Sequence, residues 1–270
     1  MEAIGCAGTR QGRERENNED ANLVDDGLGL YIVADGVGGA NAGELAASMA
    51  TQHVASCIRG EDQRVRSGHR TRNPVDVMET AMLQASQRVR TMGDRDRKLR
   101  GMATSLTALW IQGDQAIVGH AGDCSLFRLD EGCLLKLTQE HTWAAELARR
   151  GLITEVEIEG HPYEHTLTRS LGGGQDPRVE LRCVPLRAGD IFVLSTNGAT
   201  SSLEGASVAG TLQREPFDHA PETLLQQAQA RGSRDDATLL VVRVVDPSLY
   251  LDAPYGGRLW RQLRHRSAAA

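Results

Sequence analysis

Ser105-Leu106-Thr107-Ala108-Leu109-Trp110-Ile111-Gln112-Gly113-Asp114-Gln115-Ala116-Ile117-Val118-Gly119-His120-Ala121-Gly122-Asp123-Cys124-Ser125-Leu126-Phe127-Arg128-Leu129 reads as three apolar, β-prone runs at 105–111, 115–120 and 124–129. They are cut by tight polar turns at Gly113-Asp114 and Gly122-Asp123. Turns that short favour antiparallel hairpins, because a parallel crossover consumes a dozen or more residues. The stretch is therefore expected to form two consecutive hairpins. An antiparallel sheet with an apolar face needs cover, and what lies on either side supplies it.

Similar runs recur at 28–34, 191–195 and 238–245. Between the strands lie two segments of helical spacing. In 43–58, Leu45, Met49, Val54 and Ile58 recur at three- to five-residue steps, and 74–92 opens on Asn73-Pro74, a cap followed by a first-turn proline. The order does not repeat as βαβ. It predicts an α+β fold: a four-layer α-β-β-α sandwich with two central antiparallel sheets flanked by helices. A 3.6-period segment at 142–150 and the polar stretch to about 166 read as an insertion outside it.

The arginines at 59, 64, 66, 70 and 72, and the basic residues of 93–100, read as solvated loops, with a docking surface for an acidic or phosphorylated partner as the sharper alternative. Beyond the strand ending near Val245, the tail from Asp246 carries Tyr250, Tyr255, Trp260 and several arginines.

At 270 residues, 40% hydrophobic and 24% charged, the composition is that of a globular protein with one large core. A net charge of -6 argues against nucleic acid as the main partner. No stretch approaches the roughly 18–20 consecutive apolar residues of a membrane span, and no leader pattern opens the chain, so a cytoplasmic protein is expected. The five cysteines are odd in number and form no CxxC pair, so reduced packing residues are expected rather than a disulfide framework or a zinc site.

Acidic residues stand where predicted strands end: Glu19 and Asp20, then Asp35 before Gly36, then Asp123, then Asp235. Each alone reads as turn chemistry. Together, without histidine or cysteine, they suit a hard divalent cation such as Mg²⁺ or Mn²⁺, the usual apparatus of phosphate ester chemistry. Arg15 precedes the group, and a guanidinium offers paired N–H donors that match two phosphate oxygens.

Seven motifs follow in order: Arg15-x-x-Asn18-Glu19-Asp20, Asp35-Gly36-Val37-Gly38-Gly39, Gly101-Met102-Ala103-Thr104-Ser105, Gly119-His120-Ala121-Gly122-Asp123, Leu137-Thr138-x-x-His141, Leu167-Thr168-Arg169-Ser170-Leu171-Gly172 and Gly232-Ser233-x-Asp235-Asp236-Ala237-Thr238. In this order the chain resembles the metal-dependent serine/threonine protein phosphatases, the PPM or type 2C family, and within it the bacterial members.

The resemblance implies a catalytic domain over 1–246, with a flap at about 142–166 and a basic, aromatic extension over 247–270. It implies that Asp35 bridges two catalytic Mn²⁺ or Mg²⁺ ions, that the Gly36 carbonyl and Glu19 serve the second, and that Asp20 orients a metal-bound water. Asp235 falls on a ligand of the first ion, Arg15 on the substrate phosphate contact, and Asp123 on a ligand of a third, looser ion. The implied reaction is in-line attack on phosphoserine or phosphothreonine by a metal-bridging hydroxide. The substrate would be a phosphorylated protein, a serine/threonine kinase or its targets, met by a cytoplasmic monomer in signalling. Some relatives use a histidine as the acid. No histidine here matches it, and His53 and His120 read as packed or surface residues of a helix and a strand.

Two positions depart from the pattern. Thr196-Asn197-Gly198 stands where the family has an aspartate that ligates the first metal; asparagine keeps an oxygen but loses the charge. It marks an engineered substitution, an active enzyme with weaker metal binding, or a chain that binds phosphoprotein without hydrolysing it as a regulatory module. Asp236 stands where the family usually has asparagine, returning a carboxylate beside Asp235 that would partly offset the lost charge.

Overall fold

The structure, a computed structural model, describes residues 1–38, 42–174, 177–200 and 203–246. The tail beyond 246, and Gly39 of the second motif, lie outside the described residues. One five-stranded antiparallel sheet runs in the order β2 (Asp20–Asp25), β3 (Leu30–Val37), β4 (Ala103–Gln112), β5 (Gln115–Ala121), β8 (Glu180–Pro185). The other runs β1 (Glu2–Arg10), β10 (Ala237–Val245), β9 (Ile191–Ser195), β6 (Ser125–Asp130), β7 (Cys133–Lys136). Helices α1 (Ala42–Arg66) and α2 (Pro74–Arg95) cover the first sheet, while α5 (Gly205–Arg214) and α6 (Ala220–Ala230) cover the second. This is the expected α-β-β-α sandwich.

Period-two alternation explains why the central strands read as unbroken apolar runs. In β3, Leu30, Ile32 and Ala34 pack under α1 and α2, while Tyr31 and Val33 enter the layer between the sheets. In β10, Leu240, Val242 and Val244 enter that same layer and Leu239 and Val241 pack under α5 and α6. A strand covered on both faces has no side left for polar residues.

Gly113-Asp114 closes a two-residue hairpin, with Gln112 opposite Gln115 and Gly113 at φ 62°. The expected second hairpin does not form. β5 and β6 lie in different sheets, so Gly122-Asp123 is the step by which the chain crosses between layers. A short turn fixes only that the chain reverses. The Ser105 hydroxyl and β9, both distant in sequence, decide which sheet β6 joins.

The arginine-rich segment is also corrected: α1 continues as helix through Arg66. Four of its five arginines pair within the molecule, Arg59 with Asp25 at 2.9 Å, Arg66 with Asp62 at 2.8 Å, and Arg64 and Arg72 with the buried Glu61 at 3.0 and 2.8 Å. The acidic partners that a docking surface would seek are thus already present in the fold. Of the cysteines, Cys124 alone is buried, whereas Cys133 and Cys183 are exposed on edge strands; all five are free.

Between paired bridge residues Thr142 and Leu167 the chain leaves the sandwich, carrying the short helix α3 (Trp143–Arg149). Leu152, Val156 and Tyr163 of this excursion are exposed. Among the described residues, no helix is long and apolar enough to cross a membrane.

Candidate active site

Pairing register brings the first two carboxylates together, because Asp20 at the start of β2 lies directly opposite Asp35 near the end of β3. The second sheet contributes from the same end. β9 stops at Ser195, opposite Leu239 of β10, so that Asn197, which opens the short helix α4 (Asn197–Thr200), and Asp235 sit just beyond two adjacent strand ends. The crossover between sheets adds Asp123. Asp20, Asp35, Glu19, Asp123, Asn197, Asp235 and Arg15 therefore gather at one end of the sandwich.

Glycine permits the closest of these approaches. A Cβ on Gly36 would stand 2.0 Å from the carbonyl oxygen of Gly43 in α1, and one on Gly43 would stand 2.7 Å from the Glu19 carboxyl. The Gly36 N–H donates to the Glu19 carbonyl at 3.1 Å. Any side chain at either glycine would push α1 off the strand tip and displace Glu19.

Several residues that the sequence reading did not assign hold these groups. Thr196 is buried, its hydroxyl donates to Asp20 Oδ2 at 2.8 Å, and it receives the Thr238 N–H at 2.9 Å, tying the two sheets at the site. Ser105 Oγ accepts from the N–H groups of Asp123 and Cys124, both at 2.9 Å. His141 grips the preceding residue twice: its Nδ1 accepts from the Gly122 N–H at 3.1 Å, and its own N–H donates to the Gly122 carbonyl at 2.8 Å. His120 is buried, with Nδ1 at 2.8 Å from the Thr107 hydroxyl and Nε2 at 2.9 Å from the Gln139 carbonyl, while His53 is partly buried on α1 beside Arg88.

Asp236 has both carboxylate oxygens occupied, one by the N–H of Gly12 and one by that of Glu19, each at 2.8 Å. It holds the loop bearing Arg15 and Glu19 against the sheet, so the charge expected to offset Asn197 acts only through space. Asp236→Ala is expected to free that loop and lower activity by about 10–100-fold, the usual cost of removing a supporting contact behind a ligand set. Steady-state kinetics at saturating metal would check it; unchanged kcat and KM would contradict it.

Burial and mutual repulsion dominate the electrostatics. The Asp20 carboxyl is pushed up to about 7, first by desolvation, against the opposing hydroxyls of Thr238 and Thr196, with Asp236 and Asp235 adding to the rise. Asp35 is raised well above the usual carboxylate range by desolvation and then by Asp20, Asp123 and Asp235. Desolvation also raises Asp123 and Glu19. The Arg15 Nε donates to Asp235 Oδ1 at 2.7 Å, and its Nη1 lies 3.7 Å from Glu19.

Whether a divalent cation suits these residues is tested by their unsatisfied oxygens. Among the described residues, four buried side-chain polar atoms lack a hydrogen-bond partner, and Asp20 Oδ1 and Asn197 Oδ1 are two of them. An orphaned buried acceptor costs roughly 1–3 kcal/mol. Two of them amid carboxyls that resist ionisation is an arrangement a hard cation would relieve. Among the described residues no group of three or more His, Cys, Asp or Glu side chains is gathered closely enough to hold an ion by itself, but Mg²⁺-type ions keep several waters and take one or two carboxylates. The donor set fits.

The site opens into a cleft of about 970 Å³, lined on one side by Asp123, Asn197 and Asp235 and on the other by Glu155, Glu159 and Glu164 of the excursion.

In its layer order and its acidic strand tips the chain is built as a metal-dependent protein phosphatase. Residues 7–239 match the family described as Protein phosphatase 2C, and the chain belongs to that family. It is 30% identical over 241 residues to the protein phosphatase PhpP of Streptococcus pneumoniae, covering 87% of this chain and 94% of that one. Among solved structures it resembles the PPM Ser-Thr phosphatase MsPP of Mycobacterium smegmatis in complex with cacodylate, with a TM-score of 0.74, 30% identity, and 89% of this chain and 97% of that one covered. It also resembles the catalytic domain of the phosphatase PstP in complex with two manganese ions, with a TM-score of 0.73, 26% identity, and coverage of 91% and 99%.

Proposed function

We propose that this chain hydrolyses phosphoserine and phosphothreonine in proteins with Mn²⁺ or Mg²⁺, opposing a serine/threonine kinase in cytoplasmic signalling. The observation that carries the reading is the pair of orphaned buried oxygens on Asp20 and Asn197 among carboxyls whose pKa values are raised. Similarity to protein phosphatases over 87% of the chain favours the enzyme over the alternative of a phosphoprotein-binding module. The manganese in the PstP structure, and the tetrahedral oxyanion in that of MsPP, support the metal and substrate chemistry.

In this reading Asp35, Glu19, the Gly36 carbonyl, Asp20, Asp235 and the Asn197 amide oxygen would form the ligand set, with the Asp123 carboxylate beside them bonded to the Asn197 amide. When bound, the ions lower the pKa of water and neutralise charge on the phosphoryl oxygens. Arg15 binds those oxygens, exchanging part of its bond to Asp235 for the phosphate and fixing the ester for in-line attack. Thr196 holds Asp20 by donating to Oδ2, which leaves Oδ1 unpaired, where it would serve a divalent ion or its hydration shell. Residues 142–166 act as a flap over the cleft, residues 1–246 are the catalytic unit, and the unit works as a monomer.

Turnover of p-nitrophenyl phosphate and of a phosphothreonine peptide, titrated with Mn²⁺, tests the proposal. Saturable metal-dependent turnover, abolished by EDTA, is expected. Absence of turnover in both this chain and Asn197→Asp would refute the enzyme.

A further inference from the structure

The Asn197 amide presents two chemically opposite ends to the site. Its Nδ2 donates to Asp123 Oδ2 at 3.3 Å, while its Oδ1 is buried without a partner. Against the ionised carboxylate the reverse orientation would set an amide oxygen facing a carboxylate oxygen. We infer that the Asn197 amide closes the Asp123 carboxylate to metal ions, so that this chain loads divalent ions on the Asp20, Asp35 and Asp235 side alone. An aspartate at 197 would open one further cation site against Asp123. The inference rests on the reading that the site holds divalent ions.

The backbone beneath Asp123 is braced from two sides. Its turn is held from β4 by Ser105 Oγ, which accepts from both Asp123 and Cys124, and from the other side by the double grip of His141 on Gly122. Gly122 lies at φ 112°, and a Cβ there would stand 2.3 Å from Ser105 Oγ, so the backbone has one seating. On that fixed backbone the carboxylate is 7% exposed and turns its Oδ2 toward the Asn197 amide. An N–H dipole occupies that direction and presents its positive end to any approaching cation. A carboxylate in its place would put two negative charges at hydrogen-bonding distance in a poorly solvated corner, where both ionise only around a cation. The neutral amide therefore removes a ligand and also satisfies the ligand that remains.

Native mass spectrometry of the whole chain across a Mn²⁺ titration reads the stoichiometry directly. Asn197→Asp is expected to hold one Mn²⁺ more per chain than the unsubstituted protein, and adding Asp123→Asn to it should remove that ion. Asp123→Asn alone should leave the count unchanged, and this arm decides the matter if Asn197→Asp does not fold. Equal, non-zero counts in the unsubstituted chain and Asn197→Asp, or loss of an ion in Asp123→Asn alone, would overturn the inference while leaving the phosphatase reading intact. No bound Mn²⁺ in any variant would overturn both.

Discussion

Asp35→Asn is expected to lower kcat for Mn²⁺-supported ester hydrolysis by at least about 10³-fold, at the upper end of what loss of one preorganised electrostatic group costs. The same substitution is expected to raise the melting temperature of the ion-free protein. The two effects share a cause. Asp35 lies opposite Asp20 in the β2–β3 register, and its carboxyl is raised by desolvation and by Asp20, Asp123 and Asp235. Near pH 8 without ions, folding must therefore either hold a repelled, desolvated charge or take up a proton that the unfolded chain does not bind. An isosteric amide removes both costs, for a gain of about 1–2 kcal/mol, typical when a functional site is relieved of its charges. At this chain length each kcal/mol corresponds to roughly 2–4 °C. Kinetics and EDTA-treated melting curves on one preparation check both signs. A fall in melting temperature alongside the activity would make Asp35 a structural residue, and retained activity would remove it from the ligand set.

The way the fold was legible has a physical explanation. The six strands readable as apolar runs, β3, β4, β5, β6, β9 and β10, are the six interior strands of the two sheets. The four that were not, β1, β2, β7 and β8, are the four edges. An edge strand has one neighbour and partial cover; every residue of β2 is only half-buried, and β7 has no buried residue at all. Their sequences, such as Asp20-Ala21-Asn22-Leu23-Val24-Asp25, carry little apolar periodicity because little is demanded of them. Helix α6 does carry a local signal, Pro221 in its first turn and buried Leu224, Leu225 and Ala228 at helical spacing.

At the site, the side chains aimed by strand tips were readable because an aspartate or asparagine before glycine after an apolar run is a local pattern. Their supports were not. Thr196, Ser105, His141 and Asp236 act through partners 18 or more residues away, and nothing in the local sequence says which N–H a hydroxyl or carboxylate will meet. The Gly122-Asp123 turn failed for the same reason, since choosing a hairpin or a crossover depends on which distant strand lies alongside.

The stabilisation conferred by Mn²⁺, measured as the rise in melting temperature over the EDTA-treated protein, is expected to grow steeply between about pH 4 and pH 7. Asp20 has its folded pKa raised from 3.8 to about 7. Across that window the folded state binds more protons than the unfolded one, so the ion-free protein loses stability as pH rises. The slope approaches about 1.4 kcal/mol per unit for each such carboxyl, a few kcal/mol over the window. His120 works in the opposite sense. Desolvation, then His141, lowers its pKa from 6.5 to about 3, so the unfolded state binds the extra proton and stability is gained as pH rises over that range. The two contributions oppose each other in the ion-free chain and flatten its profile. Metal ions compete with protons at Asp20 and Asp35, which removes the carboxyl contribution and leaves that of His120. The loaded protein should therefore be the more acid-sensitive of the two forms, with His120→Gln reducing that sensitivity and leaving the difference between loaded and ion-free forms at pH 7. Melting curves at pH 4, 5, 6 and 7 with and without Mn²⁺ separate the contributions, and a metal-induced shift of constant size across the series would mean that these carboxyls do not exchange protons for metal.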